Sequence, residues 1–336
     1  MASEPDEDPR IGDISEGTVL RAILARTPAA SHAMLGPGDD AAVITAPSAS
    51  VVATTDTLVD GPDFRTAWSS GYDLGWKAAA VNLSDVAAMG AVPTALLVAL
   101  AVPRETRLSA ITAMAEGFRA ACDALAPGCA VVGGDLTVSD RLMIAVTALG
   151  DLEGRPAVTR AGARVGDVVA LAGELGAAAA GLQILFGRFH EGGAPTAVDV
   201  GVLGAAERRA VERQRRPHPP IGLGSVAAEA GATAMMDVSD GLALDAARMS
   251  EASGVCIDFS SEALDALAFE GDRGRALAGG EDHGLLAVFP ADVDLPGGFH
   301  RLGVVAPRNE HSVLLDGAPI PAAGWDPYRD WDGAVD

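Results

Sequence analysis

Apolar positions recur at helical spacing over 14–25, where Ile14, Val19, Leu20, Ile23 and Leu24 share a stripe behind Ser15, a candidate cap. Gly36-Pro37-Gly38 breaks that pattern and delivers Asp39 and Asp40 to a loop ahead of a short strand over 41–44. A second strand over 51–54 leaves Thr55 and Asp56 at its end. Residues 73–89 read as one long helix, with Leu74, Ala78, Val81, Val86 and Met89 interleaved among small residues. A buried strand over 96–102, an amphipathic helix over 109–125, a strand over 130–133 and another over 142–149 complete this half.

Turn-forming residues over 150–166 mark the passage to a second half. There the pattern gives a strand over 168–172, a small-residue helix over 175–187 and a polar span over 188–218. Helices near 221–230 and 241–253 and strands over 255–259 and 285–289 follow. Helices interleaved with strands favour an α/β (α+β) fold. A chain of 336 residues exceeds what one core usually fills. Two domains are therefore expected, 13–150 and 151–336, after a disordered tail over 1–12.

Composition narrows the partners. Asp+Glu of 46 against Lys+Arg of 24 leaves a net charge of −22, which argues against nucleic acid, since that partner needs a basic face. An anionic small molecule stays possible if a metal supplies positive charge. Cys122, Cys129 and Cys256 form no C-x-x-C pair, and the acidic N-terminus is unlike a signal peptide, so a reducing cytoplasm is expected. The apolar runs near 91–102 and 177–186 fall short of the roughly 18 residues of a membrane span.

The chemistry lies in five acidic motifs: GPGDDAA (36–42), TTDTLVDG (54–61), NLSDVAAMG (82–90), GGDLT (133–137) and MDVSDGL (236–242). Their acids are flanked by Gly, Ser or Thr, and carboxylates converging without basic partners need a cation. Hard oxygen ligands suit Mg²⁺, which works through substrate phosphates. Each motif also has a bland reading. Asp56 fits a turn or cap, Ser239 or Asp240 an N-cap, and Gly279-Gly280-Glu281-Asp282 a simple turn. Asp85 is harder to dismiss, because it sits mid-helix in an apolar stretch where an unpaired carboxylate is costly. Gly133-Gly134-Asp135 offers bare backbone to a phosphate.

Better-known signatures are missing. Leu58 and Ala67 stand where a calcium loop beginning at Asp56 needs acids, and Asp56 and Asp60 lie too far apart for an aspartyl-phosphate pair. There is no P-loop, Gly222-x-Gly224 lacks a third glycine, and no HRD or DFG set appears. The residues alone therefore point to Mg²⁺-dependent handling of phosphate on an unusual fold.

In series, GDDAA, TTDTLV, KAAAVNLSDVAAMGA, GGDLT, DVSDGL and GGED resemble the thiamine-monophosphate kinase family over nearly the whole chain. The resemblance implies a two-domain PurM-like fold whose N-terminal strands form a barrel in a homodimer. It also implies ATP-dependent phosphorylation of thiamine monophosphate to thiamine diphosphate. Carried across by motif, Asp40, Thr54, Thr55, Asp56, Asp85, Asp135, Asp237 and Asp240 would hold several Mg²⁺ ions. Gly134, Asp135, Arg160 and Ser239 would touch ATP, while Glu281 and Trp325 would hold the thiamine end, an aromatic face suiting a cationic ring. The family often has His where this chain places Asp63, kept here as a substrate contact. Direct in-line transfer needs no acid or base. Competing readings are an aminoimidazole ribonucleotide synthetase-type enzyme and a non-catalytic metal-binding scaffold.

Overall fold

The computed structural model describes residues 8–36 and 41–326. Helix α1 (Glu16–Leu24) starts at Ser15, whose Oγ accepts the Thr18 N–H, and short strands β1 (Ala33–Leu35) and β2 (Val43–Ile44) follow. Then come β3 (Val52–Val59), α2 (Gly71–Ala88), β4 (Val92–Val102), α3 (Leu108–Leu125), β5 (Val131–Val138) and β6 (Met143–Asp151). The four long strands form one sheet in the order β3-β6-β4-β5, in which only β4 and β5 run parallel.

Helix α2 covers one face of this sheet and is buried nearly throughout, which explains its small residues and weak amphipathic pattern. Its glycine seam lets it press against α3: a Cβ at Gly75 would stand 2.0 Å from the Met114 carbonyl oxygen, and one at Gly117 would stand 2.1 Å from that of Tyr72. Ile144, Val146 and Ala148 of β6 face α2, fully buried. Thr55 and Thr147 pair across strands on the other face, with Thr147 Oγ1 3.2 Å from Thr55 Oγ1.

The second half contains β7 (Val168–Ala172), α4 (Ala177–Arg188), β8 (His190–Glu191), β9 (Ala194–Pro195), α5 (Ala205–Arg215), α6 (Gly222–Glu229), β10 (Ala234–Val238) and α7 (Leu242–Ser253). It ends with β11 (Cys256–Phe259), α8 (Ser261–Leu267), α9 (Arg273–Ala278), β12 (Gly284–Phe289), β13 (His300–Ala306), β14 (Val313–Leu315) and β15 (Ala318–Pro319). Its sheet of seven strands runs β10-β12-β7-β13-β11-β14-β15 and has its own apolar core under α7.

Four expectations change here. Asp56 and Asp135 lie inside strands rather than beyond their ends, because cross-strand pairing carries β3 and β5 further than the apolar pattern does. The polar span over 188–218 contains α5, whose few inward residues (Ala210, Val211 and Gln214) leave an almost wholly polar sequence. Residues 8–12 are docked rather than free: Asp8 accepts the Ser109 N–H at 2.8 Å, and Ile11 is buried. Finally, no side chain caps α7, so Ser239 and Asp240 are not its N-cap.

Gly134 is demanded by the sheet, whatever else it touches. A Cβ there would fall 1.9 Å from the Val98 carbonyl oxygen of β4, backbone that cannot move without unzipping β4–β5. Gly134→Ala is expected to destabilise by about 2 kcal/mol or more through forced overpacking, checked by denaturant unfolding. A variant as stable as the parent would refute this packing role.

Candidate functional site

Strand β3 and helix α2 bring the first group together. Alternation puts Thr54 and Asp56 on the face of β3 that looks at α2. Thr54 Oγ1 donates to Asp85 Oδ2 at 2.8 Å, and the Asp56 N–H donates to Asn82 Oδ1 at 3.0 Å. Asn82 in turn donates to the Ala78 carbonyl at 2.9 Å and is thereby fixed. Asp85 and Asn82, three residues apart, share one helix face.

The second group comes from the other sheet. Asp237 is buried near the end of β10, where His283 Nδ1 meets its Oδ2 at 3.1 Å. The loop that follows is held from inside by Asp245, a fully buried carboxylate that accepts the Asp240 and Gly241 N–H groups at 3.0 and 3.2 Å. Arg248 bridges Asp240 at 2.6 Å and Asp245 at 2.7 Å. Asp240 thus has a basic partner that its sequence neighbours did not disclose, eight residues away along α7.

The turn Gly279-Gly280-Glu281-Asp282-His283 is far more than a turn. Glu281 donates its N–H to the Ser239 carbonyl at 2.8 Å, and His283 donates to that of Val238 at 3.0 Å. A Cβ on Gly280 would stand 2.4 Å from the Ser239 carbonyl oxygen, so turn and loop interlock. Asp282 accepts the Gly176 and Ala178 N–H groups at the start of α4. Glu281 and His283 both have left-handed backbone (φ 68° and 53°), strain of about 1–3 kcal/mol each that such interlocking must offset.

The charges interact across the two sheets. Burial pushes the Asp85 carboxyl up to about 7, helped by the charges of Asp237 and Asp56 and opposed by the Thr54 hydrogen bond. Asp56 is raised by desolvation and by Asp237 and Asp240, against His283. Burial works against a charge on His283, yet its hydrogen bond to Asp237 and the nearby Glu281 and Asp85 hold its pKa above the usual value. Repelling carboxylates and a hydroxyl are donor chemistry that fits Mg²⁺. Among the described residues no three acid, His or Cys side chains stand close enough to share an ion, and Asp40 lies outside the described residues.

Beside this group, Lys77 is almost completely buried on α2 and meets Glu281 Oε1 at 2.6 Å. Gln214 of α5 approaches Glu281 Oε2 at 3.4 Å, so both carboxylate oxygens are engaged. Asp63 folds back to accept the Val59 N–H at 2.7 Å; burial raises its pKa, and Glu281, Lys77 and Asp56 all act on it. Trp325 is 39% exposed, and its backbone N–H donates to the Asp240 carbonyl at 2.8 Å. Tyr328 and Trp331 lie outside the described residues.

Three sequence-derived positions stand apart. Thr55 is on the sheet face opposite α2, donating to the Val146 carbonyl at 3.0 Å. Asp135, in register with Ala99 and hence Ala145, occupies that same face on the edge strand. Arg160 is exposed, its carbonyl bound by Ser253 at the far end of α7 from Asp240. Gly133, Gly134 and Asp135 instead line a groove of about 850 Å³ with Leu20, Leu24 and Phe118. Lys77, Gln214, Asp245, Arg248 and His283 were not singled out as site residues from sequence. Lys77 and His283 were within reach, since Lys77 opens the KAAAVNLSDVAAMGA motif and His283 abuts GGED.

The family model for AIR synthase related protein, N-terminal domain, matches residues 38–152. Thiamine-monophosphate kinase of Mycobacterium tuberculosis is 38% identical over 337 residues, covering 97% of this chain and 95% of that protein. Thiamine-monophosphate kinase from Stenotrophomonas maltophilia K279a superposes with a TM-score of 0.75 at 31% identity, covering 91% of this chain and 98% of that one. AaThiL complexed with AMPPCP and TMP gives 0.72 at 30% identity, with 95% and 99% covered. The mixed α/β architecture is that of the PurM-like fold, and the chain belongs to the thiamine-monophosphate kinase family.

Proposed function

We propose that this chain transfers the γ-phosphoryl group of ATP to the phosphate of thiamine monophosphate, giving thiamine diphosphate and ADP. One observation carries the site reading: Asp56 of β3 and Asp85 of α2, from the first half, and Asp237 of β10, from the second, act on one another's charge. Such a set favours a cation bound to phosphates over any acid–base task. Several Mg²⁺ ions, when bound, would neutralise charge between two anionic phosphates. Asp40, Thr54, Thr55, Asp56, Asp85, Asp135 and Asp237 are the residues read as holding them. Asp240, already neutralised by Arg248, is the weakest member.

The acceptor phosphate is ionised at neutral pH, so alignment rather than proton removal is the chain's task. Gly134, Asp135, Arg160 and Ser239 are assigned to ATP, with the groove beside Phe118 suited to a flat base. Glu281, held by Lys77 and Gln214, is read as offering its remaining lone pairs to the thiamine end, with Asp63 near enough to feel its charge and Trp325 as a further wall. The transfer is read as direct and in-line, with no phosphoenzyme. The two sheets are read as two domains, 13–150 and 151–336.

A homodimer formed through the open sheet face would bury Leu97 and Met143, which are exposed in one chain, and enclose Thr55 and Asp135. The buried free thiols of Cys122, Cys129 and Cys256 suit a reducing cytoplasm, and no helix among the described residues is long and apolar enough to cross a membrane.

Incubation with ATP, Mg²⁺ and thiamine monophosphate, followed by chromatography, is expected to yield thiamine diphosphate and ADP in equal amounts. ADP without thiamine diphosphate would overturn the assignment, and acid-stable phosphoprotein would overturn direct transfer.

A further inference from the structure

We propose that Gly324 is a positioning residue for Trp325, fastening the C-terminal segment to the loop that carries Asp240. The inference rests on the reading of Trp325 as a wall of the thiamine site. The segment is anchored at two points. Ile320 donates its N–H to the Val313 carbonyl at 3.3 Å, and the Trp325 backbone N–H donates to the Asp240 carbonyl at 2.8 Å. Between them the side chains of Pro321, Ala322 and Ala323 are exposed, so this stretch adds little to the core.

What makes the second anchor possible is the lack of a side chain. A Cβ on Gly324 would stand 2.6 Å from the Asp240 carbonyl oxygen and 2.7 and 2.8 Å from Leu244 Cβ and Cδ2. Gly241 meets it from the opposite side, its own notional Cβ being 3.3 Å from Gly324 Cα. The surface so approached is rigid, because Asp245 holds the Asp240 and Gly241 N–H groups and Arg248 clamps Asp240. A methyl at 324 has only backbone oxygen and a helix-borne Leu to push against, so the strap must lift, carrying the indole with it. An indole displaced from a cationic ring loses most of its cation–π attraction.

The test is steady-state kinetics and calorimetric binding of thiamine monophosphate on the full chain with Gly324→Ala, Trp325→Ala and the double variant. Gly324→Ala is expected to raise KM and Kd for thiamine monophosphate about tenfold, the scale of one lost cation–π contact, with kcat and the KM for ATP within about twofold. In the Trp325→Ala background it should add nothing, since the residue acts only through the indole. The melting temperature should move by about 2 °C at most.

An unchanged KM in Gly324→Ala, with Trp325→Ala impaired, would overturn the inference and leave the acceptor-site reading intact. Additive losses in the double variant would likewise overturn it. If Trp325→Ala itself binds thiamine monophosphate normally, the reading of Trp325 fails and takes the inference with it.

Discussion

Asp85→Asn makes the metal-free protein more stable at pH 8 while abolishing turnover. In the folded chain burial and the charges of Asp237 and Asp56 hold the Asp85 carboxyl at about 7, against 3.8 for the free group. A raised carboxylate pKa means the folded state binds the proton more tightly than the unfolded state. Its contribution to stability is therefore present below about pH 4 and is lost as pH rises to about 7. The neutral amide keeps the acceptor that Thr54 needs and escapes that loss. The gain should reach about 4 kcal/mol above pH 7 and vanish near pH 4. Added Mg²⁺ should raise the melting temperature of the parent and leave that of Asp85→Asn unmoved. Turnover should fall by about a thousandfold or more, as expected when a metal-binding carboxylate is lost. Melting curves from pH 4 to 8, with and without Mg²⁺, decide the matter: a variant less stable than the parent at pH 8, or still active, would show that Asp85 is no metal ligand.

How much of this was legible follows from what each signal depends on. Asp85 was readable because one helix supplies both the apolar context and the anomaly, a carboxylate where propensity and burial disfavour it. Helix α2 was readable as an element for the same reason, but its glycine seam gains meaning only once α3 lies against it. Helix α5 was hidden, since its Arg209 and Arg213 pair with Glu174, and Arg216 just beyond its end with Asp73 and Glu212, leaving scarcely any apolar stripe. Asp240 looked like an unpartnered acid because Arg248 lies about two helical turns away. The face on which Asp135 points depends on the irregular register between β4 and β5 near Leu96, which no alternation pattern reveals. GGED was legible as a turn, yet its anchoring of α4, Lys77 and the Asp237 loop is purely tertiary. Family resemblance named particular residues where local pattern supplied only residue types.

The asymmetry of the Lys77–Glu281 pair yields the second large effect. Lys77 is 2% exposed, whereas the Glu281 side chain is 33% exposed. Glu281→Ala strands a buried ammonium, leaving Asp63 as an acid whose charge it still feels. A cost of about 3 kcal/mol is expected, the usual scale for an uncompensated buried charge. Lys77→Met instead leaves a carboxylate that can draw in water and replaces the stem with a side chain of similar shape, so about 1 kcal/mol is expected. The double variant should then be more stable than Glu281→Ala alone, a coupling that denaturant unfolding of all four proteins reads directly. Turnover should not follow stability. Both single variants lose the orientation of Glu281 or the carboxylate itself, and KM for thiamine monophosphate should rise at least about tenfold in each and stay high in the double. Glu281→Ala and Lys77→Met destabilising equally, or a double variant that regains the parent's KM, would mean that the pair does not hold the acceptor. A pair that costs more stability to break from the Glu281 side than from the Lys77 side, and activity from either, behaves as expected of a carboxylate held toward a ligand by a buried lysine.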